Sequence, residues 1–168
     1  MPRDDLHFRS ATELTQLLRD GEVSSVELLE LFLARIDEHN PAINAVVALD
    51  ADPARARAAE ADAAGRRGES WGALHGLPMT VKDAFETEGL VTTSGATELR
   101  DHVPARDADA VARLRSAGAI VFGKTNLPRY AGDMQTHNEL YGAPTTHGRS
   151  TARSVDPPAV PPPRWPQA

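Results

Sequence analysis

The chain has no cysteine, which excludes disulfides and thiolate metal sites. It has no excess of positive charge: 18 Lys and Arg stand against 24 Asp and Glu, a formal net charge of −6. With no basic face prepared for phosphates, no nucleic-acid partner is expected. No apolar run approaches the length that spans a bilayer, so no membrane partner is expected either. The first residues, Met1-Pro2-Arg3-Asp4-Asp5, lack the apolar core of a secretory signal, and the expected compartment is the cytoplasm. His75, His102 and His137 show no metal-ligand spacing and read as solvated or hydrogen-bonded histidines. No metal and no cofactor is expected. No internal repeat is visible. What remains is 168 residues with 40% apolar content, one domain's worth of soluble chain or part of a larger domain.

The residues that are present alternate helical and extended patterns. Ser10-Ala11-Thr12-Glu13 has the spelling of a capping box and opens a helix over Leu14, Leu17 and Leu18 that stops near Gly21. Ser24-Ser25-Val26-Glu27 repeats the signature. The helix it opens carries Leu28, Leu29, Phe32, Leu33 and Ile36 along one stripe. Pro41 is expected to end it at Asn40, and the two helices are expected to pack as a hairpin. Ile43 to Leu49 is β-branched and apolar, which predicts a strand. Asp52-Pro53 reads as N-cap and first-turn proline of an Ala-rich helix reaching about Arg67. Met79-Thr80-Val81 predicts a short buried strand. Asp107 is the expected cap of a helix over Ala110, Val111 and Leu114, closed by Gly118. Ala119-Ile120-Val121-Phe122 predicts a fully apolar strand, followed by a polar loop at Gly123-Lys124-Thr125-Asn126. This punctuation is that of an α/β fold, a sheet with helices outside it.

Gly118 to Thr125 matches the G-x-x-x-x-G-K-[ST] spelling of a phosphate-binding loop. Its context contradicts that use. A P-loop has its strand before the first glycine and a helix opening at the lysine. Here the middle residues are themselves the strand, and Asn126-Leu127-Pro128 continues a helix poorly. An extended chain cannot curl its amides around a phosphate.

One lysine stands out. Gly76-Leu77-Pro78-Met79-Thr80-Val81-Lys82-Asp83 is a short apolar run, bounded by glycine and proline, that delivers Lys82 at its end. A solvated surface lysine is the ordinary reading of such a position. The surrounding blocks raise another. Gly21 to Leu28, Asn40-Pro41-Ala42-Ile43-Asn44-Ala45, Leu74 to Asp83, Thr92-Thr93-Ser94-Gly95, Ala117 to Asn126, Gln135-Thr136-His137-Asn138 and Tyr141-Gly142 follow one another in a fixed order. In these blocks, from about Leu6 to Ala143, the chain resembles the amidase signature family, over the N-terminal third or so of such enzymes.

That resemblance implies the N-terminal part of an α/β/α fold, a mixed sheet covered by helices, over residues 1–145. It implies hydrolysis of a carboxamide C–N bond in a small-molecule substrate by a Ser–cis-Ser–Lys triad, with Lys82 as the catalytic lysine. A lysine acts as a base only when neutral, and burial lowers a lysine pKa by up to about 3–5 units. The neutral amine takes a proton from a bridging serine, which activates a second serine as nucleophile. Lys124 receives no catalytic role and reads as a structural part beside the site. Thr92, Thr93 and Ser94 are explained by turn chemistry. The runner-up within the family is the glutamine-hydrolysing A subunit of a tRNA-dependent amidotransferase. Asp133-Met134-Gln135 and the surroundings of Tyr141 look more like the stand-alone amidases.

The chain departs from the family after Tyr141-Gly142. The family pattern calls for a glycine/serine-rich stretch carrying the bridging serine, then a Gly-Gly-Ser block carrying the nucleophile. Neither is present. Residues 155–168 read Val-Asp-Pro-Pro-Ala-Val-Pro-Pro-Pro-Arg-Trp-Pro-Gln-Ala. Their codons, GTN GAY CCN CCN GCN GTN CCN CCN CCN CGN TGG CCN CAR GCN, can be regrouped one base earlier. With suitable third bases they then spell Gly-Gly-Ser-Ser-Gly-Gly-Ser-Ala-Ala-Ala-Val-Ala-Ala-Gly. Thr146-His147-Gly148 likewise regroups to give Pro-Trp, also a family feature at this point. A one-base deletion near codons 143–146, in the gene or its sequencing, is therefore expected, with 146–168 an out-of-frame tail. A Pro-rich linker is the alternative. In either case prolines at this density deny helix and central strand, and the tail is expected to be disordered. Without its two serines Lys82 has no partner. The expectation for this chain is a non-catalytic truncated product with exposed apolar surface, weak solubility, partial folding and no amide hydrolysis. The substrate and the oligomeric state stay open.

Overall fold

The computed structural model describes residues 3–145. The proline-rich segment 146–168, expected as a disordered tail, lies outside the described residues. After a short 3₁₀ turn (Arg3–Phe8), the order of elements is α1 (Ala11–Asp20), α2 (Ser25–Ile43), β1 (Val46–Leu49), α3 (Ala51–Arg66), β2 (Pro78–Lys82), α4 (Asp109–Ser116) and β3 (Ile120–Thr125).

Both capping boxes form. The Ser10 hydroxyl accepts from Glu13 N while the Glu13 carboxylate accepts from Ser10 N, and Ser24 and Glu27 repeat the exchange. α2 has a second cap that the sequence did not announce. The Asp62 carboxylate, carried by α3, accepts from Ser25 N and Val26 N. The first three amides of α2, orphaned in an isolated helix, are thus all satisfied.

Three strands form one mixed sheet in the order β1-β3-β2, with β1 antiparallel and β2 parallel to β3. Leu29 and Leu33 of α2 and Ala54, Ala58 and Ala61 of α3 pack against Ile120 and Phe122 on one face. The alanines let α3 approach closely. Val111 of α4 packs with Val81 and Val121 on the other face. The expected α/β/α layering is present. α2 packs chiefly on α3, whereas α1 joins through the smaller cluster of Leu14, Val23, Leu28 and Leu77, so the expected α1–α2 hairpin is not the main helix pair.

Several boundaries differ from expectation, each for a local reason. α2 runs through Pro41 to Ile43 and stops at Asn44, which is left-handed (φ 55°). The Asn40 side chain accepts from Ala45 N and Val46 N, which holds the turn and delays β1 to Val46. α3 starts at Ala51, so Asp52 and Pro53 fall in its first turn, where a missing N–H costs nothing. Asp107 does not cap α4. It accepts from Glu88 N and pairs with Arg115, and Ala108 holds the cap position without a side-chain bond. β3 extends past Phe122 to Thr125, so Gly123-Lys124-Thr125 is strand and not loop.

That extension contains a bulge. Met79 pairs with Val121, but Thr80 pairs with Gly123, leaving Phe122 as one extra residue on β3. A bulge shifts the inward/outward alternation by one. Beyond it, Lys124 lies on the α4 face with Val121 and not on the face of Ile120 and Phe122. The strand geometry also disposes of the P-loop spelling, since residues 120–125 are extended and paired on both sides.

Candidate active site

Two glycines set the approach of β2. Gly76 is left-handed (φ 73°), and a Cβ there would run into Ser25 Oγ. A Cβ on Gly118 (φ 96°) would come within 2.7 Å of His75 Cα. This close packing lets Gly76 N donate to Gly118 O and Ile120 N to Leu77 O, which registers β2 on β3. His75 accepts from Trp71 N through Nδ1 and places Nε2 3.2 Å from Ala61 O, a hydrogen-bonded histidine.

Lys82 is the last residue of β2. The chain has two lysines, and β pairing brings them together. Val81 is opposite Lys124, and Lys82 is opposite Thr125. Lys82 is exposed, and among the described residues no hydrogen bond or ion pair engages its ammonium. The reason is its place on the pleat. Alternation puts it on the face of Pro78 and Thr80, which line an open groove with Phe32, Ile36, Ile43 and Phe122.

The residue after it is anchored. Asp83 is fully buried. Its N–H donates to Thr125 O at 3.0 Å, and its carbonyl accepts from Ser94 N at 3.0 Å. Its carboxylate accepts from Thr93 Oγ1 at 2.5 Å and from Thr93 N at 3.1 and 3.2 Å. Thr93 Oγ1 in turn accepts from Gly95 N at 3.0 Å. Burial pushes the Asp83 pKa up, while the Thr93 bonds and the charge of Lys124 pull it back. Thr93, read from sequence as a turn residue, therefore also closes a buried polar network. Burial likewise raises the Tyr141 pKa, opposed by a hydrogen bond with Thr93.

Lys124 is the residue whose environment was not foreseen. It has no exposed surface. Its ammonium donates to Phe85 O, to Thr87 Oγ1 at 2.9 Å and to Thr92 Oγ1 at 2.9 Å. Burial lowers its pKa to about 8, with Asp83 and Asp107 opposing and Arg115 adding to the fall. The polar spelling Gly-Lys-Thr suggested a loop. The available signal was its direct continuation of a fully apolar strand.

A second loop closes over this end of the sheet. Asn138 donates to Asn126 Oδ1 and Leu127 O and accepts from Leu140 N and Tyr141 N. Tyr130 N donates to Ser94 O. Ser94, Tyr130 and Ala131 all have positive φ (51°, 52° and 54°), an unfavoured backbone for non-glycine residues that concentrates at functional sites. The Glu98 carboxylate is held down to about 2 by a bond from its own backbone amide and by bonds from Tyr130 and Arg129. Among the described residues no cluster of His, Asp or Glu could hold a metal ion, and no helix is long and apolar enough to cross a membrane.

The end of the sheet thus offers an open amine on a strand whose following residue is locked into a buried network. Similarity to known proteins puts this arrangement in context. The chain is 46% identical over 134 residues to the A subunit of a glutamyl-tRNA(Gln) amidotransferase from Azoarcus sp., covering 80% of this chain and 27% of that protein. It is 39% identical over 142 residues to an acylamidase of Rhodococcus erythropolis, covering 84% and 30%. It superposes on the native peptide amidase of Stenotrophomonas maltophilia with a TM-score of 0.72 at 33% identity, covering 80% and 29%. The chain therefore spans less than a third of the length of these relatives. The Amidase family model matches residues 27–155, a span that takes in both lysines, the buried Asp83–Thr93 network and all three strands. The chain belongs to the Amidase family.

Proposed function

We propose that this chain carries the lysine of a site that hydrolyses the C–N bond of a small carboxamide. The supporting observation is the placement of Lys82 at the end of β2, with Asp83 fixed directly behind it and no hydrogen bond or ion pair to its amine among the described residues, inside the span that the Amidase family model matches. In this reading Lys82, once neutral, takes the proton of a bridging serine. That serine activates a second one, which attacks the carbonyl carbon and forms an acyl-enzyme as the amine leaves; water then releases the acid. Among the described residues no serine is hydrogen-bonded to the Lys82 amine. The same reading takes 146–168 as translation in a shifted frame. What supports it is the regrouped glycine/serine spelling of residues 155–168; the family match itself runs on to residue 155, inside that segment. It includes a cytoplasmic setting and an inactive chain, because triad members act as a unit.

A second reading has its own support in the 46% identity to an amidotransferase A subunit. There the ammonia released from glutamine would be passed on. An acylamidase and a peptide amidase are matched at 39% and 33% identity.

The test has three parts. Sequencing the gene through codons 143–168 should reveal third bases that permit the regrouped spelling; third bases that forbid it sink the shifted frame. The 168-residue chain should release no ammonia from simple carboxamides or from glutamine. A frame-restored protein should turn over one of them and lose that activity in Lys82→Ala. Turnover by the 168-residue chain that Lys82→Ala abolishes would overturn the inactive assignment. Unchanged turnover in restored Lys82→Ala would overturn the role of the lysine. Preference for glutamine would favour the second reading.

A further inference from the structure

We propose that Lys124 is a positioning residue for Lys82. This inference rests on the reading of Lys82 as the functional amine, but the geometry behind it is independent of any serine. An ammonium has three N–H donors and no acceptor. Lys124 meets three oxygens, all from the segment that continues directly from Lys82: Phe85 O, Thr87 Oγ1 and Thr92 Oγ1. The two hydroxyls spend their own protons elsewhere, Thr87 on Phe85 O and Thr92 on Leu90 O. Their lone pairs are therefore directed to a donor. The set is closed: every donor of the ammonium is used, and each hydroxyl both gives and accepts.

Its effect on Lys82 follows from the connections. The segment 83–92 leaves β2 at Lys82 and is pinned from beneath by β3 through Lys124. Asp83, between Lys82 and the pinned residues, is held by Thr125 O on that same strand and by Ser94 N. Two consecutive residues of β3, Lys124 and Thr125, thus hold the chain on the far side of Lys82. The bulge at Phe122 is what directs Lys124 to this face. An apolar residue of similar length would fill the space and hold none of the three oxygens.

A lysine that merely supports the core and one that positions Lys82 differ in where the damage of its removal falls. The experiment is amide hydrogen exchange on the 168-residue chain and its Lys124→Met variant, with a ¹³C-dimethyl label on Lys82. With two lysines in the sequence, one exposed and one buried, native labelling marks Lys82 and the N-terminal amine. In Lys124→Met the Asp83, Thr87 and Ser94 amides should exchange roughly tenfold faster or more, while Ala58 and Ala61 of α3 hold their protection. The Lys82 methyl signal should sharpen and shift from its position in the original chain as the backbone beneath the open amine loosens. A folded variant in which both readouts match the original chain overturns the proposal, as does a rise in exchange that is equal in α3. If Lys124→Met does not fold, Thr92→Val removes one of the three acceptors. Both readouts should then move the same way by a smaller factor, and no movement in that folded variant overturns the proposal. None of these readouts involves turnover. A frame-restored Lys82→Ala protein that kept its activity would remove the catalytic role and leave these outcomes as they stand.

Discussion

Lys82 and Lys124 lie one register step apart on neighbouring parallel strands, yet one is open to solvent and the other has no exposed surface. The contrast makes their substitutions separable. Lys82→Ala removes no hydrogen bond or ion pair among the described residues. It should change unfolding free energy by no more than about 0.5 kcal/mol, the usual scale for surface changes. Urea unfolding measures this. A loss several times larger would mean that Lys82 supports the fold.

Lys124 should write a pH signature into stability. In the folded chain burial lowers its pKa from 10.5 to about 8. Between those values the unfolded chain holds the proton and the folded chain does not, so stability rises with pH across that window. Below pH 8 the ammonium is carried into the core at a net cost relative to water. Lys124→Met removes the linkage. The stability of the original chain minus that of Lys124→Met should therefore increase from pH 8 to 10.5, by something on the order of 1–3 kcal/mol. Tyr130 and Tyr141 occur in both proteins, so their titration cancels in the difference. A flat difference would show that Lys124 keeps an ordinary pKa.

The buried Asp83–Thr93 pair is the next point of leverage. Thr93 gives its hydroxyl proton to Asp83 and accepts from Gly95 N, in a place with no water contact. Thr93→Val keeps the shape and removes both bonds. It should cost about 2–4 kcal/mol, because a buried carboxylate and a buried amide each lose a partner. Thr93→Ser keeps both bonds and loses one methyl, which should cost about 1 kcal/mol. Chemical denaturation of the two variants checks the order. Equal losses would show that packing, and not the polar network, makes Thr93 matter.

These residues also show what the sequence could and could not reveal. The capping boxes at Ser10 and Ser24 were legible because their geometry is local: four consecutive residues contain both bonds. The stripe Leu28, Leu29, Leu33 and the apolar run Ile120 to Phe122 were legible from periodicity, and with them the layered α/β architecture. The order of blocks around Lys82 was enough to point to the family. What was not legible depends on residues distant in sequence. Asp62 reaches back to the start of α2, a cap that no window of a few residues contains. Asp107 looked like a helix cap because it precedes α4, but Glu88 and Arg115 outcompete the helix for it. The burial of Lys124 depends on a one-residue bulge and on two threonines more than thirty positions earlier.

Gly76 shows the same kind of long-range dependence, and its consequence can be separated into two parts. Its backbone is left-handed at φ 73°, and an added Cβ would overlap the Ser25 hydroxyl at the start of α2. Gly76→Ala should therefore suffer twice: about 1–2 kcal/mol for an L-residue in that conformation, and a further ~1–3 kcal/mol for the overlap. Ser25→Gly clears the obstructing side chain, since the Ser25 contacts to Asp62 run through its backbone amide. In a Ser25→Gly background, Gly76→Ala should cost the conformational part alone. The double-mutant cycle should then give a coupling of at least about 1 kcal/mol, well above the ~0.3–0.5 kcal/mol scatter of independent sites. Zero coupling would mean that α2 shifts freely away from the loop before β2. The approach of β2 to the sheet, and with it the place of Lys82, would then not depend on the start of α2.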